Sequence, residues 1–172
     1  RRRSHRSYED RPLDVEALGQ LLWAAQGIVT RTGFRTAPSA GALYPLEIYA
    51  VLAEGVYRYD PRRHRLTRTV EGDLRSELCR VSLEQKSVAD APLVLVFAAV
   101  HSRIANEYGP TRGERYVHME IGHAAQTVHL QAAALGLGSV PIGAFHDARV
   151  QKVLGLSKEE KPLYLVPVGI PR

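Results

Sequence analysis

The sequence predicts an α+β or three-layer domain, and three observations support this fold class. Short strand-like segments separated by turn signals follow one another between residues 46 and 70. The continuous apolar run APLVLVFAAV (91–100) is typical of a central strand that is buried on both faces. Helical and strand patterns then alternate up to the C-terminus, which indicates helices packed on a sheet. Because the sequence contains no repeat or linker, residues 1–172 are predicted to form a single domain.

The N-terminal half is predicted to contain one helix and a group of short strands. Asp14 precedes apolar residues at helical spacing and Gly27 follows them, so a helix is expected between these two positions. Residues 46–70 alternate over short β-branched and aromatic stretches, with turn signals at Glu54-Gly55 and Asp60-Pro61. This pattern predicts two or three strands.

The C-terminal half is predicted to alternate helices and strands. Apolar residues at helical spacing predict a helix within residues 72–91. The longest predicted helix lies within residues 113–139 and is rich in alanine, which indicates a buried helix that is apolar around much of its circumference. The remaining predicted elements are a short strand or turn, a short helix and a closing strand, at 139–145, 147–157 and 161–172.

Composition limits the class of protein. The chain is 45% hydrophobic and 24% charged, as expected for a globular domain. No apolar run approaches the ~20 residues of a membrane span, and no apolar segment follows the opening RRRSHRSYED as in a signal peptide. The single cysteine, Cys79, excludes an internal disulfide and a multi-cysteine metal site. A cytoplasmic protein that does not bind membranes is therefore expected.

The positive charge of the chain leaves a nucleic-acid partner open. The net charge is +5 and the isoelectric point is about 9.6, a balance that nucleic-acid-binding proteins use. No recognised nucleic-acid-binding motif is present, so solubility is the simpler explanation and no nucleic-acid partner is expected. Five arginines fall in the first eleven residues, and this cluster is typical of a local anion site.

Two segments in the first third of the chain are candidate ligand contacts. In an extended RRSHR segment, Arg2, Ser4 and Arg6 point the same way and could bind a phosphate group; a solvated terminus is the alternative. In the PSAGALYP segment, Ala40 and Gly41 leave room for a flat ligand against the backbone; a tight structural turn is the alternative.

Two further candidates lie on the long helix and just after it. The glycine-rich stretch 136–145 could offer backbone N–H groups to a ligand. The alternative is a helix cap followed by a turn. The stretch matches neither the sequence motif of the phosphate-binding loop nor that of the dinucleotide-binding fold. Glu120 and His123 share a helix face, as in di-iron bundles, but only one copy of that pairing is present. Hydrogen-bonded buried polar groups are therefore the preferred interpretation of the HMEIGH segment, and no metal site is predicted.

Taken together, these segments resemble the flavin-dependent nitroreductase superfamily. The segments PSAGALYPLEIY, EIGHAAQTVHLQAAALGLGSVPIGAF and LYLVPVG carry the resemblance. They are most similar to the branch that contains dehydrogenases which aromatise azolines in modified peptides, of the streptolysin and cyanobactin types. The resemblance implies a sandwich with a mostly antiparallel central sheet flanked by helices. It also implies an intertwined homodimer that binds FMN at its interface.

The resemblance also implies roles for individual residues in FMN binding. Arg2 and Ser4 of the basic signature would hold the ribityl phosphate, with Arg3 beside them, and Arg6 would lie near the N1/O2 edge of the flavin. The cross-subunit contacts would come from Pro38, Ser39, Ala40 and Gly41. The turn over the ring would consist of Pro141, Ile142, Gly143 and Ala144, with a backbone N–H near N5.

Two weaker matches and two departures from the family pattern complete this assignment. Gln85 falls where an amide contact to the pyrimidine edge is common. The basic C-terminal extension that many members use for phosphate binding is missing, and Arg172 is expected to take its place. Ala42, Leu43 and Tyr44 occupy the position of a Ser-x-Asn-x-Gln pattern that many nitroreductases carry, so nitroarene reduction is not implied.

The implied chemistry is a ping-pong cycle of hydride transfer between flavin and either NAD(P)H or an organic substrate. The substrate would be a small molecule or a modified peptide. Gly143, through its N–H, and Arg6, through its charge, would act on the flavin.

Azoline oxidases use a Lys-Tyr pair as base, and neither Arg115-Tyr116 nor Glu107-Tyr108 is a true match. Tyr116 and Tyr44 are the candidates for proton transfer, with aromatic packing as the alternative for each. A flavin-binding protein without turnover and a basic nucleic-acid-binding domain are the alternative functions.

Overall fold

A computed structural model describes residues 2–172. These residues form six α-helices and six strands. The helices are α1 Val15–Gln26, α2 Arg75–Val81, α3 Lys86–Asp90, α4 Ser102–Tyr108, α5 Pro110–Ala134 and α6 Asp147–Val153. The strands are β1 Leu46–Leu52, β2 Gly55–Asp60, β3 Arg65–Glu71, β4 Leu93–Val100, β5 Gly138–Ser139 and β6 Glu160–Gly169.

The six strands form one sheet in the order β3-β2-β1-β4-β6-β5. Each neighbouring pair is antiparallel. Every residue of β4 is buried, and Phe97 at its centre pairs with Ile48 of β1 and Tyr164 of β6. The prediction that the run 91–100 is a central strand covered on both faces is therefore confirmed.

Helices cover both faces of the sheet, and each face has its own apolar core. One core joins α1, α4 and α5 to the sheet through residues such as Leu21, Ile104 and Ile121. The other joins α2, α3 and α6 to the opposite face through residues such as Leu78 and Val150. The predicted three-layer α+β fold is confirmed. None of the helices in residues 2–172 is both long and apolar enough to cross a lipid bilayer.

The first predicted helix boundary is confirmed, because Asp14 caps α1 by accepting a hydrogen bond from the Ala17 amide to Oδ1 (2.6 Å). The single helix predicted within residues 72–91 is wrong in detail. It is divided into α2 and α3 because Leu83 and Glu84 have positive φ angles of 56° and 55°, which an α-helix cannot contain.

The helix α4 was not predicted, because its seven residues carry too short an apolar pattern to indicate a helix. It ends at Gly109, whose φ of 77° is favourable for glycine. Pro110 then begins α5, where a proline at the first helical position costs no hydrogen bond. The chain therefore reverses between two helices that pack against each other.

We expect Phe97→Ala to lower the free energy of unfolding by about 3–5 kcal/mol, because it removes a fully buried aromatic ring from the central strand. Thr67→Ala in the exposed edge strand β3 is the control and should change stability by at most about 0.5 kcal/mol. Urea denaturation followed by circular dichroism measures both. Equal effects of the two substitutions would contradict the central position of β4.

Candidate functional site

The basic N-terminal segment is anchored to the short strand β5. The His5 amide donates a hydrogen bond to the Ser139 carbonyl (3.0 Å), and Ser4 forms a parallel bridge with Ser139. Buried Tyr8 donates its hydroxyl to the carbonyls of His5 (2.6 Å) and Pro167 (3.2 Å). The segment is therefore held on the sheet edge and is not a solvated tail.

The C-terminal residues lie beside the same segment. The Arg172 amide donates to the Ser7 carbonyl (3.2 Å), and the Glu9 amide donates to the Ile170 carbonyl (2.9 Å). This arrangement brings Arg172 beside the basic segment, while its predicted part in phosphate binding stays a prediction.

The arginines of the signature have no acidic partners in the described part of the chain. Arg2, Arg3 and Arg6 are exposed, and none of them takes part in the ion pairs found among residues 2–172. A cavity of about 140 Å³ lies between this segment and α5, and its lining includes Arg2, Arg3 and His5. The surface is therefore suited to bind an anion.

The turn 141–144 follows β5 and carries an exposed backbone. Ile142 pairs with Leu165 of β6 through hydrogen bonds of 2.7 and 2.9 Å. Gly143 and Ala144 are exposed, and within residues 2–172 the Gly143 amide donates no hydrogen bond. This N–H is therefore available to a ligand heteroatom.

Gln85 lies next to this turn although 59 residues separate it from Ala144. Its Nε2 donates to the carbonyls of Ala144 (2.8 Å) and Ser82 (3.0 Å). Because the amide nitrogen is occupied, the Oε1 atom remains as the acceptor that Gln85 can offer to a ligand. The structure therefore brings Gln85 together with the predicted turn residues.

The loop Pro38–Pro45 has an unusual backbone. Gly41, Ala42 and Tyr44 have positive φ angles of 59°, 53° and 47°, a region that costs non-glycine residues roughly 1–2 kcal/mol each. A short 3₁₀ turn at Ala40–Ala42 lies within the loop. Residues 38 to 42 are half-buried or exposed, so the strained backbone faces outward.

Tyr44 holds this loop in place. Its amide donates to Ser39 Oγ (2.9 Å), its hydroxyl accepts from the Arg35 amide (3.1 Å), and the Arg35 guanidinium carbon lies 4.4 Å from its ring centre. Arg103 also donates to the Tyr44 carbonyl (3.2 Å). These contacts give Tyr44 a structural function, while its predicted part in proton transfer stays a prediction.

The side chain of Tyr108 packs against the tip of the loop. A Cβ atom placed on Gly41 would lie 2.8 Å from the Tyr108 hydroxyl oxygen, so the hydroxyl packs directly on the glycine. The predicted candidate Tyr116 lies behind it, edge-on to the Tyr108 ring at 5.1 Å between ring centres. The sequence offers Glu107-Tyr108 beside Arg115-Tyr116, but Tyr108 was not among the residues predicted to transfer a proton.

Glu120 lies beneath the same loop and departs from the expected pattern. It is 1% exposed, and neither of its carboxyl oxygens has a hydrogen-bond partner within residues 2–172. Its neighbours His118 and His123 are exposed. The expectation that the polar groups of HMEIGH are buried and satisfied is therefore wrong for all three residues. Of these three side chains, α5 turns only that of Glu120 towards the core.

Burial determines the charge state of Glu120. Burial raises the pKa of this carboxyl from 4.5 to about 7, against the opposing effects of Ser39, Arg35 and Gln26. A carboxyl group with such a pKa exchanges its proton near neutral pH. Perturbed groups of this kind are concentrated at functional sites, although buried structural groups also show them.

The candidate residues form two groups on one chain. The first contains the N-terminal segment, the turn 141–144, Gln85 and Arg172; the second contains the loop Pro38–Pro45 and Tyr108. Among residues 2–172 no hydrogen bond joins the loop to the N-terminal segment or to the turn. The two surfaces are thus built by separate sets of contacts.

Comparison with protein families identifies the family of this chain. The model of the nitroreductase family matches residues 1–170. The chain belongs to the nitroreductase family. Membership of this family makes the protein an oxidoreductase.

Individual nitroreductase relatives agree with this assignment. The protein MJ1384 of Methanocaldococcus jannaschii, also named as a nitroreductase, is 46% identical over 175 residues, which cover 98% of this chain and 87% of the relative. A crystal structure from Ralstonia eutropha JMP134, described as that of a nitroreductase, superposes on this chain with a TM-score of 0.91 and 34% sequence identity. The match covers 99% of this chain and 80% of the other. The NADPH:FMN oxidoreductase of Vibrio harveyi, solved with NAD+, matches with a TM-score of 0.71 and 25% identity, over 98% of this chain and 65% of that enzyme.

We expect Glu120→Gln to stabilise this nitroreductase above neutral pH. The folded protein keeps the Glu120 proton up to a pH of about 7, whereas the unfolded chain releases it near 4.5. Wild-type stability therefore falls as pH rises between these values, by up to about 3 kcal/mol, and the neutral glutamine removes that loss.

Urea denaturation at several pH values measures this difference. The control Glu114→Gln, at an exposed position of α5, should change stability by at most about 0.5 kcal/mol at every pH. If Glu120→Gln destabilised the protein at about pH 8 as much as at about pH 5, the carboxylate would not carry the desolvation cost assigned to it.

Proposed function

We propose that this nitroreductase is an FMN-dependent oxidoreductase that binds its cofactor between two copies of the chain. The observation that carries the proposal lies along one edge of the molecule. There, within residues 2–172, arginines without an acidic partner, a Gly143 amide without an acceptor and the Gln85 amide side chain come together. An anion site, a donor and an acceptor are what a flavin mononucleotide requires of its protein. A relative named as an NADPH:FMN oxidoreductase supports the choice of cofactor.

The basic segment would hold the phosphate end of the cofactor. Arg2 and Ser4 lie on the exposed side of a segment whose backbone is fixed to Ser139. Guanidinium groups can bind a phosphate with two parallel hydrogen bonds each. Arg3 and Arg172 lie close by and would add positive charge to the same region.

The turn and Gln85 would hold the ring. The N–H of Gly143 would donate to N5, and the Oε1 atom of Gln85 would accept from the pyrimidine edge. Arg6, on the same side of the segment as Arg2, would place a positive charge at the N1/O2 edge. When bound, FMN would supply hydride chemistry at N5, and these fixed dipoles would favour the reduced form of the ring.

The loop Pro38–Pro45 would contact the flavin that is bound to the partner copy. Its small residues, half-buried Ala40 and exposed Gly41, would let a planar ring approach the backbone closely. The surface nearby supports association of two copies, because large apolar side chains are exposed on α1, on the turn after it and on α5. These residues are Val15, Trp23, Val29, Phe34, Met119 and Leu130.

NAD(P)H is the proposed hydride donor in the reductase direction, and the oxidant would be a small electron-poor molecule. Dehydrogenation of an azoline in a modified peptide is the second candidate activity. It is favoured by the position of Tyr108, whose hydroxyl packs on Gly41 and could exchange a proton with a substrate held against the ring. A general acid or base must lie within hydrogen-bonding reach of the reacting group.

Spectroscopy of the purified protein tests the cofactor and its reduction. We expect the protein reconstituted with FMN to show the visible absorbance of bound flavin, which NADH or NADPH bleaches under anaerobic conditions. Arg2→Ala combined with Ser4→Ala should weaken FMN binding by about 10- to 100-fold, because charged hydrogen bonds of about 1.5–3 kcal/mol are lost. Arg62→Ala, in an exposed turn, is the control.

The outcomes separate the proposal from its alternatives. Bound flavin that neither nicotinamide nor substrate reduces would indicate a flavin-binding protein without turnover. A colourless protein after reconstitution, with affinity for nucleic acid that falls steeply with salt, would overturn the proposal.

We further expect Tyr108→Phe to lower kcat for a substrate that must gain or lose a proton by about 10²- to 10⁴-fold. FMN affinity should change by less than about threefold, since only a hydroxyl group is lost. The control is Tyr57→Phe on strand β2. Steady-state kinetics measure kcat, and an unchanged value for Tyr108→Phe would exclude the hydroxyl as the proton-transfer group.

A further inference from the structure

His129 of α5 lines the cavity beside the basic N-terminal segment, and no contact proposed so far uses it. The cavity has a volume of about 140 Å³; the segment contributes Arg2, Arg3 and His5 to its lining, and α5 contributes His129. His129 is 3% exposed, and its Nε2 atom has no hydrogen-bond partner within residues 2–172. A buried polar atom without a partner costs free energy unless a ligand or a water molecule satisfies it.

Ser139 of β5 fixes the imidazole ring of His129. Ser139 is itself buried, and its Oγ atom lies 2.7 Å from His129 Nδ1. Within residues 2–172 this hydroxyl has no other hydrogen-bond partner, so donation to Nδ1 is the arrangement in which its proton is paired. Burial and the charge of Arg2 lower the pKa of His129, so the ring is neutral. Its single proton is then on Nε2, the nitrogen without a partner.

The other polar side chains around the cavity are also hydrogen-bond donors. Arg2 and Arg3 are exposed, and neither takes part in the ion pairs found in the described part of the chain. Arg3 Nε donates to His5 Nε2 (3.3 Å), so a neutral His5 ring carries its proton on Nδ1. None of the described residues that line the cavity has a carboxyl group. The ligand that suits this lining is an oxyanion.

The size and the support of the cavity agree with a single phosphate group. A volume of about 140 Å³ equals that of four or five water molecules at about 30 Å³ each. Ser139 holds both walls, because its carbonyl accepts the His5 amide hydrogen (3.0 Å) while its hydroxyl binds His129. Since Nε2 is buried, an anion reaches it when the exposed side chains of Arg2 and Arg3 move around the ligand.

We propose that this cavity binds a phosphate group and that the Nε2–H of His129, held by Ser139, is its buried donor. Arg2 and Arg3 would supply the positive charge, and the neutral imidazole would supply a donor of fixed direction. The phosphate has two potential sources, the terminal phosphate of FMN and free inorganic phosphate. For the first source the inference rests on the proposed function, whereas for the second it does not. Neither the sequence patterns nor the family resemblance indicated a role for His129 or Ser139.

Two amide variants of His129 separate a ligand contact from a structural one. In His129→Asn the amide lies near the position of Nδ1 and can still pair with Ser139, but no donor remains near the position of Nε2. In His129→Gln the amide reaches the position of Nε2 and can still donate a hydrogen bond. We therefore expect His129→Asn to lose phosphate binding and His129→Gln to keep most of it. The control is His123→Asn, at an exposed position of the same helix.

Fluorescence titration with FMN and with riboflavin, which lacks the phosphate, measures the contribution of that group. If the phosphate of FMN is the ligand, we expect His129→Asn to weaken FMN binding by about 10- to 100-fold, because a hydrogen bond to a charged group is lost. Its riboflavin constant should stay within about twofold of wild type, which also shows that the variant is folded. His129→Gln should bind FMN within about fivefold of wild type, and His123→Asn should follow wild type for both ligands.

Calorimetric titration of the flavin-free protein with inorganic phosphate, at constant ionic strength, identifies the source. If the phosphate of FMN is the natural ligand, inorganic phosphate should weaken the binding of FMN but not that of riboflavin. If free phosphate is the ligand, it should bind together with FMN, and His129→Asn should abolish phosphate binding without changing the FMN constant. Both results support the site, because both require the donor at position 129.

The possible failures are distinct. If wild type binds FMN but His129→Asn keeps wild-type constants for FMN and for inorganic phosphate, the inference is wrong and the proposed function stands. The same conclusion follows if His129→Gln loses as much phosphate binding as His129→Asn, or if His129→Asn weakens riboflavin as much as FMN. If wild type binds inorganic phosphate through His129 but binds no FMN, the inference stands and the proposed function falls. If wild type binds neither, both fall.

Discussion

The left-handed backbone of the loop Pro38–Pro45 is the constraint on which the candidate site depends. Ala42 and Tyr44 adopt φ angles that non-glycine residues normally avoid, and such strain persists only where the surroundings impose it. Here Arg35, Ser39 and Arg103 impose it through hydrogen bonds to Tyr44. The result is a loop whose small residues face outward while its polar support lies inside.

The rest of the site depends on strand β6, at the opposite side of β4 from the loop's own strand β1. Its residues pair with β5 and with Ile142, and the residues after it pair with the N-terminal segment. The basic signature, the turn 141–144 and Arg172 therefore share one rigid support. The loop Pro38–Pro45 is supported by separate contacts, and the proposed function places the ligand that needs both surfaces between two chains.

The sheet and the major helices could be predicted because their patterns are strong and their neighbours agree with them. The apolar run of β4, the capping by Asp14 and the alanine-rich α5 each follow from local sequence. The break between α2 and α3 could not be predicted, since nothing in SLEQ marks positive φ angles at Leu83 and Glu84. The gathering of Gln85 with Ala144 across 59 residues was indicated by family resemblance and not by any local pattern.

The polar groups beneath the loop were the least predictable part of the site. Helical periodicity places Glu120 on the same side of α5 as Ile121 and Ala124, so its burial could be inferred, but not the lack of a partner. The contact of the Tyr108 hydroxyl with Gly41 depends on how α4 returns towards the loop. Contacts of this kind arise from tertiary packing, which a single sequence specifies only through its whole fold.

Subunit complementation tests most directly whether each site is shared between two chains. The first variant combines Arg2→Ala with Ser4→Ala and damages the basic segment. The second variant, Gly41→Val, damages the loop, because a Cβ atom at position 41 would collide with the Tyr108 hydroxyl. In a mixed dimer with shared sites, both lesions fall in one site and the other site is intact. An equal mixture reassembled from the two inactive proteins should therefore recover about a quarter of wild-type flavin reduction by NAD(P)H. If activity stays at the residual level of the separate variants although mixed dimers form, each site lies within a single chain and the account is wrong.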